Sequence, residues 1–271
     1  MLSKISLLGV SVTTSSRQAI LSRISRFLSI LRPPSSVLRI VTPNPEQIVL
    51  AEKNEKFRNI LNEADIALPD GAGVVWGINR RRKAENTRLP ARQGGQKKSV
   101  LRIPGREFMI DLCRLAGEKN KRVLLYGGRG GVAKEALRKL KQVIPNLDGL
   151  AIDGAEIEGE TIPMAIVEEI VRTIRGRNIH VVFIGLGAPK QEFLMHSLNS
   201  KLSSLNSPVV LMVVGGAFDM LAGKIQRAPK LVQQMGFEWL WRFIHEPWRW
   251  KRQCVLLTFI RLVLLSKIRD N

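Results

Sequence analysis

Several short apolar runs in this chain stop abruptly at residues that can do chemistry. "ALPDGAGVVW" delivers Asp70 into a glycine turn, and "VTPNPEQ" leaves Thr42 and Asn44 behind an aliphatic stretch. "FIGLGAPKQEF" passes through Gly187 to Lys190, Gln191 and Glu192, and "VVGGAFDMLAGKIQRAP" carries Asp219 just beyond paired glycines. A carboxylate at the end of a buried strand can take a proton from an attacking hydroxyl. It can equally cap the helix that follows, as Asn44 can. Asp70 is the first candidate base and Asp219 the second, although Asp219 can also serve to orient its loop. Glu192 reads as structural or ligand-contacting.

A fourth glycine-rich turn, "LYGGRGGVA", places Gly128 and its neighbours before a helix start, an arrangement that can offer backbone N–H groups to a phosphate. It also fits the alanine-ended dinucleotide fingerprint through Gly128, Gly130 and Ala133, with Asp153 further along in the position of a ribose-binding acid. A nicotinamide-dependent oxidoreductase is therefore one alternative.

The elements that must position these groups follow from the apolar pattern. Runs short enough for buried strands occur at 5–10, 37–42, 65–68, 122–127, 149–152, 180–185 and 209–215. Helical patterns separate most of them. Ile20, Ile24, Phe27, Leu28 and Leu31 repeat at helical spacing behind Ser16, and Pro45 follows a capping Asn44. Thr161 reads as the cap of a segment with Pro163 in its first turn, and Gly131 opens "GVAKEALRKLKQV". Strands alternating with helices predict an α/β fold with a mostly parallel, Rossmann-like sheet flanked by helices. Ligands bind such sheets beyond the carboxyl ends of the strands, where the residues above lie. Residues 80–99, rich in charge and broken by Pro90 and two glycines, read as a surface loop.

The chain has 271 residues, 45% of them hydrophobic, and a formal charge of +20. Such a charge points to an anionic partner: nucleic acid, anionic lipid or a phosphorylated substrate. The basic residues cluster at 1–41, 79–106 and 222–271. A basic nucleic-acid-binding protein is a second alternative, although basic and aromatic residues interleave only near the C-terminus. The serine-rich, acid-free first 41 residues also suit a transit peptide, whereas "KISLLGVSV" reads as a strand of the fold. No stretch reaches the roughly 20 apolar residues of a spanning helix.

Beyond "GKIQRAP" the pattern changes. The segment 229–271 holds every tryptophan but Trp76 and is split by Pro247 into two helical pieces. Tryptophan, basic and aliphatic residues together suit an interfacial helix on an anionic membrane, and equally a helix covered by the domain or by a second copy of the chain. The expected organisation is an α/β domain over 1–228 and a basic, tryptophan-rich helical appendage over 229–271. Cys113 and Cys254 stand far apart as structural thiols, and the three histidines show no ligand spacing, so no metal or other cofactor is expected.

Taken in order, "TPNPEQ", "ALPDGAGVVW", "RIPG", "LYGGRGGVA", "GLGAPKQE", "VGGAFDMLAGKIQRAP" and "GFEWLWRFIHEP" resemble the WecG/TagA/CpsF family of bacterial glycosyltransferases up to about residue 252. The resemblance implies an inverting, metal-free transfer of a sugar, often N-acetylmannosamine, from UDP to a sugar on a polyprenyl diphosphate. The place would be the cytoplasmic face of the cell membrane. By matching motif, Asp70 would be the catalytic base, and Thr42, Asn44, Arg102 and Gln191 would line the site. Gly128, Gly187 and Asp219 complete the candidate binding residues, and Arg242, Arg249 and Arg252 of the appendage would meet the diphosphate or the membrane.

Overall fold

The structure, a computed structural model, describes residues 2–30, 36–88, 99–157, 159–203, 207–224 and 250–269; for 84–88, 250–254 and 267–269 it describes the backbone alone. Its centre is a six-stranded sheet of β3 (Val37–Val41), β4 (Ile66–Ala67), β5 (Arg122–Gly127), β6 (Gly149–Ile152), β7 (Ile179–Gly185) and β8 (Val209–Val213). The spatial order is β4-β3-β8-β7-β5-β6, and every pairing is parallel.

Parallel strands covered on both faces read as continuous apolar runs, and here their side chains alternate between two cores. Val182 and Ile184 of β7, with Leu211 and Val213 of β8, join Phe57, Val167 and Leu194 on one face. That face is covered by α2 (Pro45–Lys53), α3 (Glu55–Glu63), α7 (Met164–Gly176) and α8 (Lys190–Leu202). Val181 and Phe183 point the other way and meet Ile20, Phe108, Ala136 and Phe218. These belong to α1 (Arg17–Leu28), α5 (Gly105–Glu118), α6 (Val132–Val143) and the short α9 (Ala217–Ala222). The α/β, mostly parallel architecture expected from the sequence is the one observed.

Three local expectations are corrected, and a fourth is met in part. The run 5–10 is no strand of the main sheet: Lys4–Leu7 (β1) and Val10–Thr13 (β2) form an antiparallel hairpin that turns at Leu8 and Gly9, both at positive φ. The basic segment from Arg80 does not begin as a loop, because α4 runs from Ala72 through Arg88; residues 89–98 lie outside the described residues. Helix α7 starts at Met164 with Pro163 as its cap, and Thr161 stands outside it. Of the tail's two expected helices, the second is α10 (Trp250–Arg269) and the first lies outside the described residues.

Helix α10 is seated on the α/β body. Phe259 and Val263 are buried in the core, four residues apart on one helical face. Gly73 and Gly77 of α4 have the same spacing, and a Cβ on either would stand 3.6 Å from Phe259 or Val263 respectively. Two missing side chains on α4 thus let the two helices approach.

Candidate functional site

The loops at the carboxyl ends of the strands enclose an open cleft of about 810 Å³. Its wall includes Thr42 and Asn44 after β3, Asp70 after β4, Gly128 after β5, Gly187 and Gln191 after β7, and Asp219 on α9. Seven of the candidate residues therefore meet in one cavity, although they are spread over 178 positions of sequence from Thr42 to Asp219. A cleft of this size suits a ligand the size of a sugar nucleotide.

Asp70 leaves β4 through a tight turn in which its own N–H donates to the Leu68 carbonyl at 2.8 Å. Its carboxylate is partly exposed and lies 3.7 Å from the Arg102 guanidinium. Arg102 is brought there by the segment leading into α5, pinned where the Ile103 N–H donates to the Pro69 carbonyl at 3.1 Å. Behind the pair, α5 begins at Gly105. A Cβ there would lie 3.0 Å from Thr42 Cγ2 and 3.4 Å from Asp70 Oδ2, tight contacts that glycine avoids. The carboxylate therefore sits between a guanidinium and the positive end of a helix, with one side open to the cleft.

Asn44 does what its sequence context suggests and also borders the cleft. Its Oδ1 accepts from the Gln47 N–H at 2.9 Å, and its own N–H donates to Gln47 Oε1 at 3.1 Å, closing a capping box on α2. Gln191 is buried, and its amide is engaged within the protein: Oε1 accepts from the Gly215 N–H at 3.0 Å, and Nε2 donates to Glu192 at 2.9 Å. It shapes the wall more than it reaches into the space.

Two N–H groups of the glycine turn after β5, expected as a phosphate cradle, are engaged within the protein. The Gly131 N–H at the start of α6 donates to the Asp153 carboxylate at 2.9 Å, and the Gly128 N–H donates to the Gly185 carbonyl at 3.0 Å. The Asp153 carboxylate thus lies at the positive end of α6, while Gly128 still lines the cleft. The same contact engages Asp153, the acid that a dinucleotide fingerprint would reserve for ribose.

Positive charge reaches the cleft by other routes. Arg129, Lys190 and Lys224 line it, none of them in the set expected from sequence as binding residues. Lys190 Nζ donates to the Ile157 carbonyl, and Lys224 Nζ stands 4.0 Å from where a Gly130 Cβ would be. Arg129 pairs with Glu156 at 2.7 Å on the exposed rim. The signal for Lys224 was its place in "GKIQRAP", directly after a strand-end helix. Among the described residues no group of three or more His, Cys, Asp and Glu is placed to hold a metal ion.

Arg242 and Arg249 lie outside the described residues, and Arg252 falls on α10 where the backbone alone is described. Among the described residues no helix is long and apolar enough to cross a membrane. Helix α10 does expose Leu257, Leu264 and Leu265 alongside Arg261.

Comparison with known proteins places the chain in a family. The sequence profile of the glycosyl transferase WecG/TagA/CpsF family matches residues 5–271. A Bacillus subtilis (strain 168) protein named N-acetylglucosaminyldiphosphoundecaprenol N-acetyl-beta-D-mannosaminyltransferase is 30% identical over 225 residues, 83% of this chain and 78% of that protein. Its namesake from Bacillus spizizenii is 29% identical over the same lengths. With a profile match over nearly its whole length and strand-end residues gathered around one cleft, the chain belongs to the WecG/TagA/CpsF family of glycosyltransferases.

Proposed function

We propose that this glycosyltransferase moves N-acetylmannosamine from a UDP donor to a sugar carried on a polyprenyl diphosphate, with inversion and without a metal, at the inner membrane face. The product would feed a cell-surface polysaccharide or teichoic acid. The observation that carries this reading is the Asp70 carboxylate held 3.7 Å from Arg102 at the cleft wall. The names of the two Bacillus proteins support the sugar and the lipid-linked acceptor.

In this mechanism the acceptor hydroxyl attacks the anomeric carbon from the face opposite UDP. Asp70 takes the hydroxyl proton as the new C–O bond forms, and the bond to the diphosphate oxygen breaks with its electron pair leaving on UDP. A positioned base of this kind contributes roughly 10²- to 10⁴-fold. Arg102 holds the carboxylate in place and adds positive charge beside the reacting atoms. Charge that develops on the departing diphosphate is met by Arg129, Lys190 and Lys224 of the cleft and by the appendage arginines Arg242, Arg249 and Arg252. Such cations perform the task that a divalent ion performs in other transferases.

The acceptor is anchored in the bilayer, so the enzyme must work at its surface. The excess of basic residues and the leucines exposed on α10 support peripheral binding to an anionic membrane. A second copy of the chain is the other surface that could cover them.

The test is UDP release by the full chain with a polyprenyl-diphosphate-linked N-acetylglucosamine acceptor, comparing UDP-N-acetylmannosamine with UDP-glucose in the presence of a chelator. Acceptor-dependent release with the first donor, undiminished by the chelator, is the expected result. Release with UDP-glucose alone would overturn the assigned sugar, and dependence on a metal would overturn the charge-neutralising role given to the basic residues.

A further inference from the structure

Glu192 is the one acid among the described residues that is fully buried, with no exposed surface, and it lies directly behind the cleft in the first turn of α8. Its Oε1 accepts two hydrogen bonds, from Gln47 Nε2 at 2.7 Å and from Gln191 Nε2 at 2.9 Å. Its Oε2 is buried and accepts none. Both partners then reach onward. Gln47 closes the capping box with Asn44, and Gln191 accepts from the Gly215 N–H. One carboxyl therefore joins the loops that follow β3, β7 and β8, three of the walls of the cleft.

Such a site suits a neutral acid better than an anion. An ionised carboxylate offers about four acceptor positions, and out of water it needs donors or a cation for each oxygen. Here the side-chain donors are two amides on one oxygen. The charged residues lining the cleft in front of it are Glu46, Asp70, Arg129, Lys190, Asp219 and Lys224, and the hydrogen bonds Glu192 accepts come from the two uncharged glutamine amides. Lys190 spends its ammonium on the Ile157 carbonyl.

We propose that Glu192 is a positioning residue, an uncharged clasp that sets the distance between the Asn44 and Gly215 walls and thereby the shape of the donor pocket. The proposal rests on the reading of this cleft as the UDP-sugar site. Burial pushes the carboxyl up to about 7, which agrees with a proton held there at mildly acid pH and released as the solution becomes basic.

The full-length protein is compared with Glu192→Gln, which keeps an uncharged hydrogen-bonding group, and with Glu192→Leu, which leaves both glutamine amides without an acceptor. UDP binding is measured at pH 6 by calorimetry. The carboxylic-acid infrared band and amide exchange at Gly215 are followed without ligand. The expected result is Glu192→Gln binding within about threefold of wild type and Glu192→Leu binding at least tenfold weaker. The acid band should be present in wild type at pH 6 and lost in Glu192→Gln, with Gly215 exchange accelerated only in Glu192→Leu. Glu192→Gln behaving like Glu192→Leu would show that the charge is needed and overturn the clasp, as would a missing acid band or wild-type behaviour of Glu192→Leu. If wild type fails to bind UDP, the donor-site reading falls, while the infrared and exchange results still decide whether the clasp exists.

Discussion

Gly105 stands where a Cβ would be 3.4 Å from Asp70 Oδ2, so the first turn of α5 is packed directly against the acid that faces the cleft. The neighbour that holds this acid from the other side, Arg102, comes from the same approach to α5. One short stretch, "RIPG", thus supplies the guanidinium, the Ile103 N–H that grips Pro69, and the glycine that lets the helix begin. The position of Asp70 is set less by its own strand, which is two residues long, than by this stretch.

Asp70→Asn keeps the shape of the side chain and removes its basicity. Turnover should fall by about 10²- to 10⁴-fold while the donor KM stays within a few-fold of wild type, because the amide still fills the space. Steady-state UDP release with saturating acceptor measures both constants. A variant that turns over like wild type would leave Asp70 with only a helix-starting role.

Gly105→Ala places a methyl group 3.0 Å from Thr42 Cγ2. Either α5 or the strand-end loop must shift, at a stability cost of about 1–3 kcal/mol. The same shift moves the Asp70–Arg102 pair, and small displacements of reacting groups cost rate disproportionately, so kcat should fall at least tenfold. Adding Thr42→Ser removes the crowded methyl group and should restore much of both losses. Urea melts and kcat measured on the single and double variants decide it; a double variant no better than the single one would rule out this steric coupling.

The strand ends were legible because buried parallel strands write themselves as unbroken aliphatic runs, and the residue after each run must lie at the carboxyl edge. The hairpin of β1 and β2 was not, since its turn is Leu8-Gly9 rather than an Asn-Gly pair and the run through it stays apolar. The helical start of the basic segment was hidden for the opposite reason: Arg80, Arg81, Arg82 and Lys83 carry no apolar period to mark a helix. Glu192 looked like an ordinary acid in a first helical turn. Its burial depends on Gln47, 145 positions earlier, which no local pattern reports.

The raised affinity of Glu192 for its proton has a consequence for stability. In the unfolded chain this carboxyl titrates near its ordinary value of 4.5, and in the folded protein near 7. Between those values the folded state holds a proton that the unfolded state has lost, so this group's contribution falls as pH rises from about 4.5 to 7 and is level above that. The loss amounts to about 3 kcal/mol at most. Glu192→Gln abolishes it, so the variant should gain stability relative to wild type as pH is raised from 5 to 7.5. Urea denaturation at the two pH values measures the change, and a constant difference between the proteins would mean that the buried carboxyl does not titrate in this window.

Helix α10 divides its leucines and aromatics between two surroundings. Phe259 and Val263 are buried against α4, whereas Leu257 is 69% exposed, Leu264 43% and Leu265 45%. Core packing does not explain the second set, and transfer of each leucine into lipid is worth up to about 1.5–3 kcal/mol. Changing all three to serine should therefore weaken co-flotation with vesicles containing anionic lipid at least tenfold, while UDP binding and the melting temperature remain near wild type because none of the three lines the cleft. Phe259→Ala gives the contrasting result: it opens a cavity between α10 and α4 and should cost about 3–5 kcal/mol of stability. A triple variant that floats normally but sediments as a smaller species than wild type would assign the exposed stripe to a second copy of the chain and not to the bilayer.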